Sequence, residues 1–134
     1  MADAVTSQTL IDGPQTAVVK FTNISDGTGE SGVTKVDVSA LTANGNGDPC
    51  TGVAIERLWW QCIGMKVQIL WDATADQFCI ELGENQSGDH DYTDFGGLTN
   101  NAGAGKTGDI NFTTVGATAA DTYTVIMYLR KKYN

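Results

Sequence analysis

The sequence is poor in the residue types on which a catalytic, metal-binding or nucleic-acid reading would rest. It has one histidine, His90, and three cysteines, Cys50, Cys62 and Cys79. No CxxC or Cys/His spacing suggests zinc. With a single histidine in an acidic stretch, no Ser/His/Asp or Cys/His triad can be assembled, and the chain is read as a non-enzyme. Basic residues are scarce, 8 Lys and Arg against 16 Asp and Glu, which leaves a net charge of −8. A nucleic-acid binder needs a basic patch to neutralise phosphates, so that class is excluded. No apolar run approaches the ~20 residues of a membrane helix, and no charged and then apolar leader opens the chain. No segment carries a convincing helical period.

What the sequence does have is strand and turn chemistry. Its 134 residues fit one domain, and 41% hydrophobic content is enough for an ordinary core. Sixteen glycines with two prolines point to many turns. The central stretch is Val53 to Leu82, VAIERLWWQCIGMKVQILWDATADQFCIEL. It reads as a three-stranded antiparallel meander with turns at Ile63-Gly64 and Asp72 to Gln77. Alternation then places Leu58, Trp60, Cys62, Met65, Val67, Ile69, Trp71, Phe78, Ile80 and Leu82 on one apolar face. Arg57, Trp59, Gln61, Lys66, Gln68, Leu70, Cys79 and Glu81 take the other. Cys62 and Cys79 therefore should not bridge, and three reduced thiols fit a cytosolic product.

Before the meander, Ala17 to Ile24 and Val33 to Ala40 read as a long hairpin closed by the turn-rich Ser25 to Gly32. After it, Gly83 to Gly108 is a long irregular stretch with a short strand or turn expected around Tyr92 to Leu98. Asp109 to Val115 and Asp121 to Lys131 are the last strands. Residues 1–15 are an N-terminal arm, laid on a neighbouring subunit by strand addition, or an edge strand, ended by the Gly13-Pro14 turn signal; a frayed terminus is the plainer alternative. Residues 16–134 form a single domain. The expected fold is all-β, an antiparallel β-sandwich of about eight strands, jelly-roll-like because two long loops cross between strands.

Two motif-like stretches fail on inspection. Gly105-Lys106-Thr107 resembles the end of a P-loop, but Asn100 stands where the motif needs glycine, and a strand follows instead of a helix. Asp89-His90-Asp91 with Asp94 is the nearest approach to a metal cluster. The EF-hand pattern breaks at Thr93 and again at Asp94, where glycine is required. No cofactor or metal is expected.

The remaining candidates are contact residues. Trp59 lies opposite the apolar face, with Arg57 on its own strand, and can be covered by the long loop, by another protein or by a sugar. Tyr92 and Phe95 are candidate anchors in the long loop. Lys131 and Lys132, with Arg130, close the chain either as a charged strand end or as a contact for an acidic partner.

Three strings, VVKFTNISDGTGESGVTKVDVS, VQILWDATAD and FGGLTNNAGAGKTGDINFTTVG, carry a resemblance that extends over most of the chain. Together they resemble small virion structural proteins of tailed bacteriophages, most of all a capsid decoration (cement) protein. That resemblance implies a protein made in the host cytoplasm and carried on the capsid surface. It implies self-association, a trimer first, and binding to the major capsid protein, with neither nucleic acid nor membrane as partner. It transfers no site residues. A tail or neck component of the same virion, or a glycan-binding sandwich using Trp59 and the long loop, are the alternatives.

Overall fold

The computed structural model describes residues 4–133. Its elements are β1 (Ala4–Asp12), β2 (Thr16–Asp26), β3 (Val33–Val36), β4 (Gly52–Ile63), β5 (Lys66–Trp71), β6 (Gln77–Leu82), β7 (Ser87–Asp91), β8 (Ile110–Val115) and β9 (Ala119–Lys132). Two short 3-10 turns, Val38–Ala40 and Thr93–Phe95, are the only helical elements among the described residues. The strands form two antiparallel sheets, a five-stranded one ordered β1-β2-β9-β4-β7 and a four-stranded one ordered β3-β8-β5-β6. The fold is an all-β sandwich, as expected from the turn spacing.

The pairing is nested. β2 pairs with β9, β3 with β8, β4 with β7 and β5 with β6. Each sheet is stabilised by period-two alternation. On β9, Tyr123, Val125, Met127 and Leu129 are buried, while Tyr128, Arg130 and Lys132 point out. The two inner faces meet in one core. Phe112 of β8 stands edge-on to Phe21 of β2 (5.4 Å between ring centres) and to Tyr123 of β9 (5.9 Å), joining the sheets. Each large side chain fully buried there contributes roughly 1.5–3 kcal/mol relative to exposure.

Several expectations need correction. The apolar face of the central stretch is real: Leu58, Trp60, Cys62, Met65, Val67, Ile69, Trp71 and Leu82 are all buried. It is not, however, the face of one sheet. β4 lies in the five-stranded sheet and β5 in the four-stranded one, so the chain crosses between sheets at Gly64. Gly64 has φ +80, and its N–H donates to Asn85 Oδ1 at 2.8 Å. Residues expected as cross-strand neighbours lie instead in different sheets, in the one core between them. The second hairpin does form, with Val67 opposite Leu82 and Ile69 opposite Ile80. A bulge at Cys79 then sets Phe78 opposite Leu70, leaving Phe78 46% exposed and tucking Cys79 against the core. The hairpin expected between Ala17–Ile24 and Val33–Ala40 is absent too. β2 pairs with β1 and β9, and β3 pairs with β8.

The long stretch after Leu82 contains β7, a strand with no apolar residue to announce it. All three cysteines are free, Cys50 and Cys62 buried. Burial pushes the Cys62 and Cys79 thiols up to about 11. The N-terminal segment is an edge strand, β1, paired along β2 of its own chain. Met1 to Asp3 of the expected arm lie outside the described residues.

Candidate docking surface

The outer face of the five-stranded sheet is set by one bulge in β4. The register with β9 shifts between Ile55 and Arg57. Beyond the shift, Arg57, Trp59 and Gln61 point outward and Leu58, Trp60 and Cys62 inward. Trp59 stands between Ile126 on β9 and Asp89 on β7, and Lys20 on β2 lies on the far side of Ile126. In the next row Arg57 stands between Tyr128 and Asp91. Trp59 is 37% exposed and Tyr128 36%, whereas Trp60, its neighbour in sequence, is 6% exposed in the core. Adjacent strand residues cannot share a face, and here one tryptophan goes to each.

Arg57 is held in place before any partner arrives. Its Nε donates to Asp89 Oδ1 at 2.9 Å and its Nη2 to Asp89 Oδ2 at 2.6 Å. Its guanidinium carbon lies 5.5 Å from the centre of the Tyr128 ring. The hydrogen bond to Arg57 holds the Asp89 carboxyl below its usual range, and Asp89 raises the Arg57 guanidinium in turn. Both partners are well exposed, so the pair contributes little to stability. Its effect is to fix a flat cation beside two aromatic rings, which lowers the ordering cost of binding.

The charge on this face differs from that of the whole chain. Four cations are tied to carboxylates: Lys35 to Glu30, Arg57 to Asp89, Lys66 to Glu81 and Lys131 to Asp12. Of the four without a salt bridge among the described residues, Lys106 lies in the loop before β8, while Lys20, Arg130 and Lys132 belong to the outer face of this sheet. Lys132 also lines, with Lys106, Thr51 and Asn100, an open cleft of about 300 Å³.

The expected contact residues therefore divide. Trp59, Arg57 and Lys132 share one face. Tyr92 and Phe95 do not join them. They sit beyond β7, where His90, Tyr92 and Phe95 follow one another with ring centres 6.2 and 6.1 Å apart. Tyr92 packs against the core, while Phe95 is 66% exposed. The loop carrying them docks on Ile55 and Glu56 through backbone bonds with Leu98 and Tyr92, and Trp59 remains 37% exposed. Lys131 is a correction. It points inward, its side chain 0% exposed, and binds Asp12, the Gly13 carbonyl and the Thr42 carbonyl, so it is a structural residue and not a surface contact.

Tyr128 and Asp89 were missed from sequence. Alternation places Tyr128 on the outer face of its strand, but only the long-range pairing of β4 with β9 sets it beside Arg57. Asp91, in the stretch that looks metal-like, accepts from the N–H and hydroxyl of Thr93. No group of three or more His, Cys, Asp or Glu side chains is placed to hold a metal among the described residues. No family model, curated protein or solved structure matches the chain.

Proposed function

We propose that this chain is a structural protein of a virus particle, a capsid decoration protein that binds the outside of the major capsid shell and stabilises it. The observation that carries the reading is the outer face of the five-stranded sheet. It sets two exposed aromatic rings beside a pre-positioned arginine, and the same face carries three cations without salt bridges among the described residues, on a chain of net charge −8. Tryptophan, tyrosine and arginine are the residues in which binding energy concentrates at protein interfaces. The resemblance of the three strings to phage virion proteins supplies the class of partner. The nested strand order, two sheets built from pairs that enclose one another, suits the jelly roll common in capsid architecture.

The role is binding, without chemistry. Each copy adds modest contacts, and repetition over the shell resists the pressure of packaged DNA. The protein would be made in the host cytoplasm and end on the particle surface, with copies of itself as further partners, a trimer first. Cosedimentation with expanded empty capsids of the encoding phage tests this. The expected result is saturable binding that Trp59→Ala weakens while the variant keeps its β circular dichroism spectrum. Binding to tails or necks and not to shells would move the protein to that part of the virion. A Trp59-dependent signal on a glycan array, with no capsid binding, would replace both readings with a glycan-binding module.

A further inference from the structure

A sandwich of two open sheets has four edges, and in this molecule three of them are blunted. β7 is five residues long and carries Asp89, His90 and Asp91. β3 has four residues, and its register shifts between Thr34 and Val36. β6 is bulged at Cys79 and carries Glu81. Short length, charge and bulges are the devices by which natural sheets discourage edge-to-edge pairing.

β1 is different. It runs for nine residues, AVTSQTLID, with no proline and no lysine. Its one charge, Asp12, is at its end and is taken up by the buried Lys131. From Ala4 to Thr9 it pairs with β2 without interruption before a bulge at Leu10. Alternate N–H and C=O groups of an antiparallel edge strand point away from its single partner. Every residue from Val5 to Ile11 is exposed, with Val5 at 48%, Leu10 at 47% and Ile11 at 55%. A long, neutral, unprotected edge on a molecule of net charge −8 is an exception to the pattern of the other three.

We propose that β1 pairs with the β1 of a second copy, antiparallel about a two-fold axis near Thr6 and Ser7, joining the two five-stranded sheets into one. The occupant is a second copy because the strand is self-complementary. Its central residues, Val5 to Thr9, are neutral and suited to strands. An antiparallel two-fold brings the same short polar side chains opposite each other with no like charges in register. Two molecules of net charge −8 repel overall, and the neutral edge lets them approach with no like charges brought together. The contact is backbone-led and small, which places it among weak, concentration-dependent interfaces. It is two-fold, unlike the trimer implied by the phage resemblance. A trimer of the free chain and this dimer exclude each other, whereas binding to the capsid shell is tested separately, by cosedimentation, and stands whichever of the two forms.

The test is sedimentation velocity of the purified chain over about a hundredfold range of concentration, at low and high salt. The expected result is a monomer–dimer equilibrium that strengthens as salt screens the repulsion between the two acidic bodies. Thr6→Lys and Ser7→Lys, each placing two ammonium groups close to the axis, should raise the dissociation constant at least about tenfold. Ser87→Lys, on the edge strand at the other end of the same sheet, should leave it unchanged. Hydrogen exchange on the unmodified chain gives a reading that does not depend on the variants folding. Amides within Ala4 to Thr9 should become more protected as concentration rises. A monomer at every concentration, a trimer, a dimer insensitive to both lysine variants, or a dimer with no added protection in β1 would each overturn the proposal.

Discussion

Lys131 and Asp12 are a buried pair whose two halves should not cost the same to remove. The Lys131 side chain is 0% exposed and that of Asp12 24%. The ammonium also donates to the Gly13 carbonyl at 2.6 Å and the Thr42 carbonyl at 2.9 Å. Asp12→Ala leaves a positive charge enclosed with only those carbonyls. Breaking a buried pair from one side costs about 3–5 kcal/mol, and the partial exposure of Asp12 puts this case near the lower end, about 3 kcal/mol. Lys131→Met removes the enclosed charge and fills similar space. It leaves a carboxylate that water already reaches and two carbonyls short of a donor, for about 1–2 kcal/mol. Chemical denaturation of both variants measures the difference, and Asp12→Ala should also lower the melting temperature by on the order of 10 °C. If Lys131→Met proves as costly as Asp12→Ala or more so, the packing of the lysine stem matters more than its charge, and the reasoning fails.

The same pair predicts a pH response. Burial pushes the Asp12 carboxyl up, but hydrogen bonds from Lys131 and Thr42 outweigh it and hold the group below 3.8. Its contribution is therefore present above that value and lost as pH falls through the lower, folded value, so acid unfolding should come at higher pH in Asp12→Asn. Glu30 accepts from Asn23 Nδ2 at 3.1 Å and from the Tyr123 hydroxyl, and pairs with Lys35, with its side chain 6% exposed. Glu30→Ala should cost about 3 kcal/mol in denaturant, and Glu30→Gln less, because the amide oxygen still accepts from Tyr123. Gly108 has φ +89, and a Cβ there would lie 2.3 Å from the Thr51 carbonyl oxygen. Gly108→Ala should lower stability by about 2 kcal/mol or more, measured by thermal unfolding.

The sequence carries the parity of its strands far better than their partners. Alternation depends only on the pleat, so the inward set from Leu58 to Trp71 could be read locally. Whether Cys62 meets Met65 across a hairpin or across the core depends on which way the chain turns at Gly64, and both answers bury the same residues. β7 was hidden because Ser87–Asp91 has no apolar residue; its place is fixed by β4, against which Gly88 lies opposite Trp60. Lys131 was hidden because a lysine in a basic tail reads as solvated. Its burial follows from β9 alternation, which puts it in phase with Leu129, and from a loop carbonyl and an aspartate more than eighty residues away. Trp59 and Arg57 were legible because an apolar pattern that places ten residues on one face leaves a tryptophan stranded on the other.

Trp59 offers the sharpest test of whether that face is a docking surface. A fully exposed tryptophan carries on the order of 200 Å² of side-chain surface, and Trp59 is 37% exposed. Roughly 80 Å² thus awaits cover, and at ~25 cal/mol per Å² that is about 2 kcal/mol available to a partner. The remainder is already buried within the chain, so truncation affects folding as well. Trp59→Ala should lower stability by about 1–2 kcal/mol, well short of the ~3–5 kcal/mol of a core aromatic such as Trp71. Its effect on binding should be at least as large, about 2 kcal/mol or roughly thirtyfold in affinity, because an anchor ring flanked by a fixed arginine forms the dry centre of an interface. Arg57→Ala frees Asp89 and unseats the cation over Tyr128, so it should weaken binding with little change in stability, as expected of an exposed pair. A Trp59→Ala protein that loses core-like stability yet binds its partner undiminished would make the ring a packing residue of the sheet. The face around it would then have no claim to be the surface by which this protein acts.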